Sequence, residues 1–438
     1  MVQYFRLLAV ALLVCPLFAH ADNNELYGLG PRAAAMGGAM SAEANDYSGV
    51  FYNPSLLINS KDTDFQLSLQ YYKGTATVSK TAGAAALDCS ACQPRDSLAT
   101  SLGFVFPLGG KVKNRLAIGL GLTTATNVLL RVAAPSRSQP YWYRYDSAGD
   151  RFVLHLGVGV KITDWLNVGG GFQVLADLVG DGAAVKVDLF SKQVKTGQIN
   201  AYFQNRFAPV IGVSVTPWRR LRLGATFRGE MRLEYQIPAA VELEGIGSLN
   251  FSLSGVQHYK PHTLQFGASL DVVDDLTIAL DGEWANWSAA PSPYMHVKMN
   301  LAGATLTALG LDQAFNLESA QQPPGFADTM TGRLGLEWRI SERFLVRAGA
   351  VYRPSMVPKQ DTPGTNLLDA SAVSLTGGFG FNFRDPLDVF ENPLKIDASL
   401  HGTFLMARET NKPASDTSPS YASVANVAGF SVGVRYDY

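Results

Sequence analysis

From residue 65 to the end, the chain alternates apolar and polar residues in segments of about ten. In 221–235, Leu221, Leu223, Ala225, Phe227, Met231, Leu233 and Tyr235 share one face, with Arg222, Thr226, Arg228, Glu230, Arg232 and Glu234 on the other. In 276–287, Leu276, Ile278, Leu280 and Trp284 oppose Thr277, Asp281 and Glu283. In 330–340, Leu334, Leu336, Trp338 and Ile340 oppose Arg333, Glu337 and Arg339. In 343–353, Phe344, Val346, Ala348, Ala350 and Tyr352 oppose Arg343, Arg347 and Arg353. Period two is the mark of a half-buried strand. Fourteen such segments are expected: 65–73, 97–106, 115–126, 152–162, 166–177, 205–216, 221–235, 262–272, 276–287, 330–340, 343–353, 372–384, 394–406 and 428–438. Their connections alternate strictly between short and long. Short turns at 107–114, 163–165, 217–220, 273–275, 341–342 and 385–393 interleave with long loops at 74–96, 127–151, 178–204, 236–261, 288–329, 354–371 and 407–427. A soluble sandwich has no reason to collect its long loops at one end. An even number of strands with short turns on one side and long loops on the other is the pattern of an all-β, transmembrane antiparallel barrel of the outer membrane. Closure into a barrel leaves no unpaired strand edge for hydrocarbon to meet.

Composition supports the same class. The 438 residues are 47% hydrophobic and only 17% charged, against roughly 25% charge in ordinary soluble domains. Lys and Arg total 36 and Asp and Glu total 37, so the net charge is −1 and no basic excess exists to hold nucleic acid. Disorder is excluded by the apolar content. Beyond the N-terminus no apolar run reaches the ~18 residues that a membrane-spanning helix needs. The apolar strand face is therefore expected against lipid and the charged face in the lumen, since a charge on the lipid side costs about 2–4 kcal/mol near the midplane. Trp165, Trp218, Trp284, Trp287 and Trp338 lie near strand ends, where an interfacial aromatic girdle is expected. The last strand carries Phe430, Val432, Val434, Tyr436 and Tyr438 on alternate positions. A terminal aromatic resembles the signal read by outer-membrane assembly machinery.

Residues 1–21 read as a secretory signal: Arg6 precedes the apolar run Leu7 to Phe18, and Ala19-His20-Ala21 forms an A-x-A cleavage site. Cys15 follows Val14, a poor context for lipidation. Export leaves Cys89 and Cys92 in an oxidising compartment. No further ligands nearby complete a zinc site, and the surrounding Asp88 to Pro94 reads as loop, so a small loop-stapling disulfide is expected. Residues 22–60 do not alternate. They run through Gly28, Gly30, Pro31, Arg32, Ala33, Ala34, Ala35, Met36, Gly37 and Gly38 to Asn53-Pro54-Ser55. No Gly-Lys-Ser/Thr ending marks a phosphate loop. So many small residues ahead of a barrel wide enough to leave a channel suggest a compact plug within it. The chain thus divides into a signal peptide (1–21), a plug (22–60) and a barrel (61–438).

The chain resembles the FadL/TodX family of outer-membrane transporters for hydrophobic compounds. The resemblance rests on Gly28-x-Gly30-x-Arg32-Ala33-x-Ala35-Met36-Gly37-Gly38-Ala39, on Asp46-x-Ser48 and on Asn53-Pro54. It continues in 262–271, 275–288 and 333–354, and leaves the long loops unmatched. It implies a monomeric fourteen-strand barrel with an N-terminal hatch. It also implies passive uptake of long-chain fatty acids or aromatic hydrocarbons, held in a loop groove, then in an apolar pocket, and released on hatch movement, sideways into the membrane. The family's Asn-Pro-Ala hatch motif falls on Asn53, Pro54 and Ser55, so the third position departs from it.

The candidate gating residues are Asn53, Pro54, Ser55, Gly37 and Gly38. Arg222, Arg228, Arg333 and Arg347 carry guanidinium groups shaped for a carboxylate ligand, although Glu230, Glu234, Glu283 and Glu337 share their face and make a charge ladder the plainer reading. Gly119 and Gly121 are candidates for a kink that opens the wall. Leu301, Leu306, Leu309, Leu311, Phe315 and Leu317 suggest an amphipathic loop helix that forms an entry groove together with loop 178–204. His155, His258, His262, His296 and His401 are scattered, without a nucleophile elbow or metal spacing, so neither an enzyme nor a metal or other cofactor is expected. The partners expected are a hydrophobic ligand and outer-membrane lipid. A general porin for polar solutes and a membrane-embedded lipid hydrolase are the alternative readings.

Overall fold

The computed structural model describes residues 24–81, 92–94, 96–125, 135–146, 152–188, 193–243, 246–311, 316–358, 365–387, 389–416 and 418–438. Residues 1–21, read above as a secretory signal, and Cys89 lie outside them. Fourteen strands form one wall: β1 (Asp64–Lys80), β2 (Ser97–Pro107), β3 (Leu116–Ala125), β4 (Val153–Lys161), β5 (Leu166–Asp188), β6 (Gln193–Trp218), β7 (Leu221–Arg228, resuming at Met231–Leu243), β8 (Gly247–Lys260, resuming at Thr263–Val273), β9 (Leu276–Ala285), β10 (Thr329–Arg339), β11 (Phe344–Arg353), β12 (Ala372–Phe383), β13 (Leu394–Thr410) and β14 (Tyr421–Asp437). Each pairs antiparallel with its chain neighbours. The ring closes where β1 meets β14, from Asp64↔Asp437 to Lys80↔Tyr421. No described helix is long and apolar enough to cross a membrane.

The alternation places side chains as the pattern requires. Ile211 is 60% exposed, Leu280 57% and Leu400 70%, all on the outer face. Gln66, Ser101, His155, Thr226, Gln265 and Ser269 are buried on the inner face. An apolar exterior around a polar interior is stable only with lipid outside. Trp165, Trp218 and Trp338 are exposed at the short-turn end, and Trp284 is partly exposed near the other end, as a girdle requires. Trp287 is a correction: it is 5% exposed and packs in an aromatic cluster with Tyr259 and Phe326.

Three loop readings are also corrected. Strands β5 and β6 extend through most of 178–204, and β7 and β8 through most of 236–261. Register shifts between Gly180 and Gly182 and between Val256 and His258 interrupt the two-residue period, which hides these extensions from a pattern reading. β7 itself breaks at Gly229-Glu230. Beyond the break Met231 and Leu233 do not face lipid. They are buried against Val153, Leu175 and Ala208, and the β7 extension pairs in parallel with β5. Among the described residues the expected amphipathic helix is interrupted: Ala304–Ala308 is helical, Leu301 lies in a strand before it and Leu317 in a two-residue strand after it. Phe315 lies outside the described residues.

The outer face yields a direct test. Leu280→Arg is expected to destabilise the barrel by about 2–4 kcal/mol if it sits at the bilayer midplane, and Leu280→Phe by less than ~1 kcal/mol. Urea unfolding in lipid vesicles measures both; equal effects would contradict lipid exposure of that position.

Candidate functional site: the occupied lumen

Residues 24–60 lie inside the ring. They form short helices at Asn24–Tyr27, Pro31–Ala35 and Gly49–Tyr52 and a 3-10 helix at Pro54–Asn59. Pro31 and Pro54 each open a helix, where the missing N–H costs nothing. Gly28, Gly30, Gly37 and Gly38 have φ between 62° and 93°, the left-handed region that favours glycine. This explains the choice of Gly37 and Gly38, which turn the chain after the helix.

The wall receives this segment on a belt of glycines. A Cβ on Gly103 would overlap the Tyr47 ring, and one on Gly119 would lie 2.6 Å from Val50. Added Cβ atoms on Gly159, Gly169, Gly212 and Gly224 would strike Pro54, Ser55, Asn53 and Ser41. On the opposite wall Gly335, Gly349 and Gly378 are pressed by Met36, Gly37 and Ala35. Neighbouring strands place these glycines side by side, as in Gly103↔Gly121, Gly119↔Gly157 and Gly169↔Gly212. The ladder runs through Gly119 and Gly121 without a register shift. Their observed role is to admit Val50 and Leu57.

Asn53 joins the segment to the wall. Its Nδ2 donates to Ser41 O at 2.8 Å and to Val213 O at 3.1 Å. Its Oδ1 accepts from Ser55 N at 3.1 Å and Ser55 Oγ at 2.6 Å, so it caps the 3-10 helix. Every polar atom of this fully buried amide is used. The departure from alanine at position 55 adds a hydroxyl donor to the cap.

Charges complete the attachment. Arg32 of the inner segment pairs with Glu43 at 3.1 Å and with Glu337 of β10 at 3.0 Å. Glu337 continues to Arg347 at 2.6 Å, and Arg347 to Asp397 at 2.5 Å. In the other direction Glu43 meets Arg222 at 2.7 Å, and Arg222 meets Asp271 at 2.6 Å. An alternating chain of seven charges thus crosses from wall to inner segment to wall. Burial works against the Arg32 charge, but Glu337 and Glu43 outweigh it and hold that guanidinium above its usual range. Asp281 accepts from Ser41 N at 2.9 Å and Ser41 Oγ at 2.7 Å. Burial pushes the Tyr52 hydroxyl up to about 12, so it stays protonated while accepting from Leu29 N.

The four arginines named as candidate ligand contacts each pair with carboxylates, as the charge-ladder reading has it. Arg222 and Arg347 belong to the seven-charge chain, while Arg228 and Arg333 share Glu283 at 2.5 and 3.2 Å. Arg228 also lies 4.7 Å over the Phe51 ring. Sequence reading missed Ser41, Glu43 and Asp281 as anchors of the inner segment. The available signal was the presence of Arg32 and Glu43 in a stretch otherwise dominated by small residues.

At the long-loop end the lumen is covered. Tyr141–Trp142 pairs in parallel with Leu367–Leu368, and Trp142 is fully buried with its indole N–H on Cys92 O at 2.8 Å. Cys92 is disulfide-bonded, and the expected partner position, 89, is outside the described residues. Tyr143, Tyr259, Trp287, Tyr294 and Phe326 pack alongside. At the short-turn end a polar cleft of about 460 Å³ opens between Arg32, Asn45 and the wall. Among the described residues no group of His, Cys, Asp and Glu is arranged to hold a metal ion.

Asn53→Ala removes the cap and leaves Ser41 O and Val213 O without that donor. About 1–3 kcal/mol of local stability should be lost. Amide exchange at Ser55 to Asn59 is expected to rise roughly ten- to a hundredfold, with wall amides unchanged; unchanged exchange throughout would refute the anchoring role.

Comparison with known proteins agrees with this architecture. Solved structures share the fold at low identity. A Pseudomonas aeruginosa FadL homologue has a TM-score of 0.61 at 14% identity, over 96% of this chain and 99% of its own. The P. putida toluene transporter TodX has 0.60 at 15% identity, over 94% and 99%. The Ralstonia pickettii toluene transporter TbuX has 0.54 at 17%, over 94% and 99%. No curated protein gives a match. The family described as outer membrane protein transport protein (OMPP1/FadL/TodX) matches residues 23–438. With nearly the whole chain matched, the protein belongs to this family of outer-membrane β-barrel transport proteins, whose members include channels for hydrophobic compounds.

Proposed function

We propose that the protein takes up hydrophobic small molecules, long-chain fatty acids or aromatic hydrocarbons, by passive diffusion through a barrel gated by residues 22–60. The observation that carries this reading is the mode of attachment of the inner segment. The wall is held by backbone ladders between all neighbouring strands, whereas the segment is held by side-chain hydrogen bonds, ion pairs and glycine contacts. Such contacts can be exchanged without opening the barrel. Asn53-Pro54 is the hinge in this reading, because the proline fixes φ while the Asn53 amide fixes the turn to the wall. The ion-pair chain through Arg32 and Glu43 is the latch. A filled lumen speaks against an open porin for polar solutes. The names of the solved relatives, which include a FadL homologue, a toluene transporter and a monoaromatic hydrocarbon channel, support an apolar cargo. The barrel would act as a monomer in the outer membrane after removal of residues 1–21.

Uptake of labelled long-chain fatty acid and labelled toluene tests this in a Gram-negative host lacking its own transporter. The full chain is expected to take up at least one, and Asn53→Ala at equal surface level to change that rate severalfold. Uptake of neither would refute the reading. In planar bilayers, deletion of residues 22–58 is expected to open an ion-conducting pore; unchanged conductance would rule out a plug.

A further inference from the structure

Charge is spread unevenly around the short-turn rim. The connections 107–115, 161–165 and 217–220 carry Lys111, Lys113, Arg115, Lys161, Arg219 and Arg220 against a single acid, Asp164. These connections are neighbours in space: Lys161 N donates to Arg115 O at 2.9 Å, and Thr216 N to Trp165 O at 2.8 Å. Lys161 pairs with Asp164, and Arg220 with Asp274 of the next turn, each at 2.8 Å. Lys111, Lys113 and Arg219 are exposed and make no ion pair among the described residues. Further round the rim the sign reverses, where Asp274, Asp275, Glu342, Asp385 and Glu391 outnumber Arg339, Arg343 and Arg384.

Beside this basic sector the outer face of the wall is dented. A concavity of about 540 Å³ lies across β4 to β8, and its lining is almost wholly apolar. That volume is in the range of ligand pockets. One row of paired positions crosses it strand by strand: Val158, Gly170, Ile211, Phe227 and Leu264. Val160 and Val168, paired with each other, carry it down to the level of Lys161. Gly170 leaves the gap at its floor. The inner segment accounts for Gly169, which lies against Ser55, but not for Gly170, where an added Cβ would find only Val210 O, at 3.8 Å. No register shift passes through Gly170, so it is not there to make a bulge. A glycine inside a strand weakens it, and one of its uses is to let a ligand come close to the backbone. Trp165 and Trp218 stand exposed in the basic connections below the dent.

We propose that this sector binds an anionic glycerophospholipid of the periplasm-facing leaflet. The basic rim holds the phosphate, and one acyl chain lies in the dent over Gly170. The parts follow the order of a lipid: apolar surface at hydrocarbon depth, indoles at the interface and cations at the headgroup. Guanidinium and ammonium groups on long stems pair with phosphate while their methylenes stay against apolar surface. The acidic remainder of the rim disfavours the same headgroup, which confines the site to one sector of the belt. The site lies outside the lumen and does not depend on the cargo proposed above.

The test uses the full chain with Trp338→Phe, so that Trp165 and Trp218 are the indoles at the short-turn end. It is placed in phosphatidylcholine vesicles with a small fraction of either brominated phosphatidylglycerol or brominated phosphatidylcholine, and tryptophan quenching is read. The anionic lipid is expected to quench at least twofold more than the zwitterionic one. The triple variant Lys113→Gln, Arg115→Gln, Arg219→Gln is expected to abolish that excess, and Gly170→Leu, which fills the dent from outside, to reduce it severalfold. Arg343→Gln, in the acidic sector, is expected to leave it unchanged. Equal quenching by the two lipids overturns the site even if no variant reaches the membrane. Loss of the excess in the charge variant alone overturns the acyl-chain seat, and equal loss in Arg343→Gln overturns the sector. Disulfide-linked pairs of an Ile211→Cys variant in the same vesicles would put a second copy of the chain in the dent and overturn the lipid assignment.

Discussion

Every backbone N–H and C=O in hydrocarbon must find a partner within the protein. That requirement is met here by closure of the sheet on itself. β1 pairs with β2 on one side and with β14 on the other, the latter along its whole length from Asp64 to Lys80. Once the ring is closed, its interior has a fixed circumference and a fixed set of inward positions. Everything else in the molecule adapts to that ring.

The interior solves two problems with different residue types. Glycines at inward positions let the backbone of residues 24–60 approach the wall closely, so packing and seating are the same event. Charges then choose one seat. Buried ion pairs add little net stability once desolvation is counted, but breaking one leaves an uncompensated charge. The chain from Asp397 through Arg32 and Glu43 to Asp271 therefore acts chiefly as a register device: rotation of the inner segment would strand several charges at once.

The strands were legible because a barrel wall is a local code. Each residue of β9 or β10 reports its own face, so Leu280 and Asp281, or Leu334 and Arg333, can be sorted by inspection. Legibility failed where the local code was interrupted or reused. A register shift at Gly180–Gly182 disguised two long strands as loop. Met231 and Leu233 carry the lipid-facing pattern yet meet Leu175 and Ala208, because burial by protein and burial by lipid select the same apolar residues. Trp287 looked like a girdle residue for the same reason. What lies against Gly119 and Gly121 was not legible, since a sequence records the lack of a side chain but not what fills its space.

The sequence alone determined the class of fold, the strand number, the lumen and lipid faces, and the presence of an N-terminal segment unlike the wall. These follow from period-two patterning and loop lengths, which depend on residues near one another in the chain. Only the tertiary structure decided how that segment is held. Asn53 meets Val213, Arg32 meets Glu337, and Arg353 meets the Tyr145 hydroxyl. Those pairings join positions 160 to 305 residues apart. No local pattern encodes them, because they arise only when the closed ring brings opposite walls to the same enclosed segment.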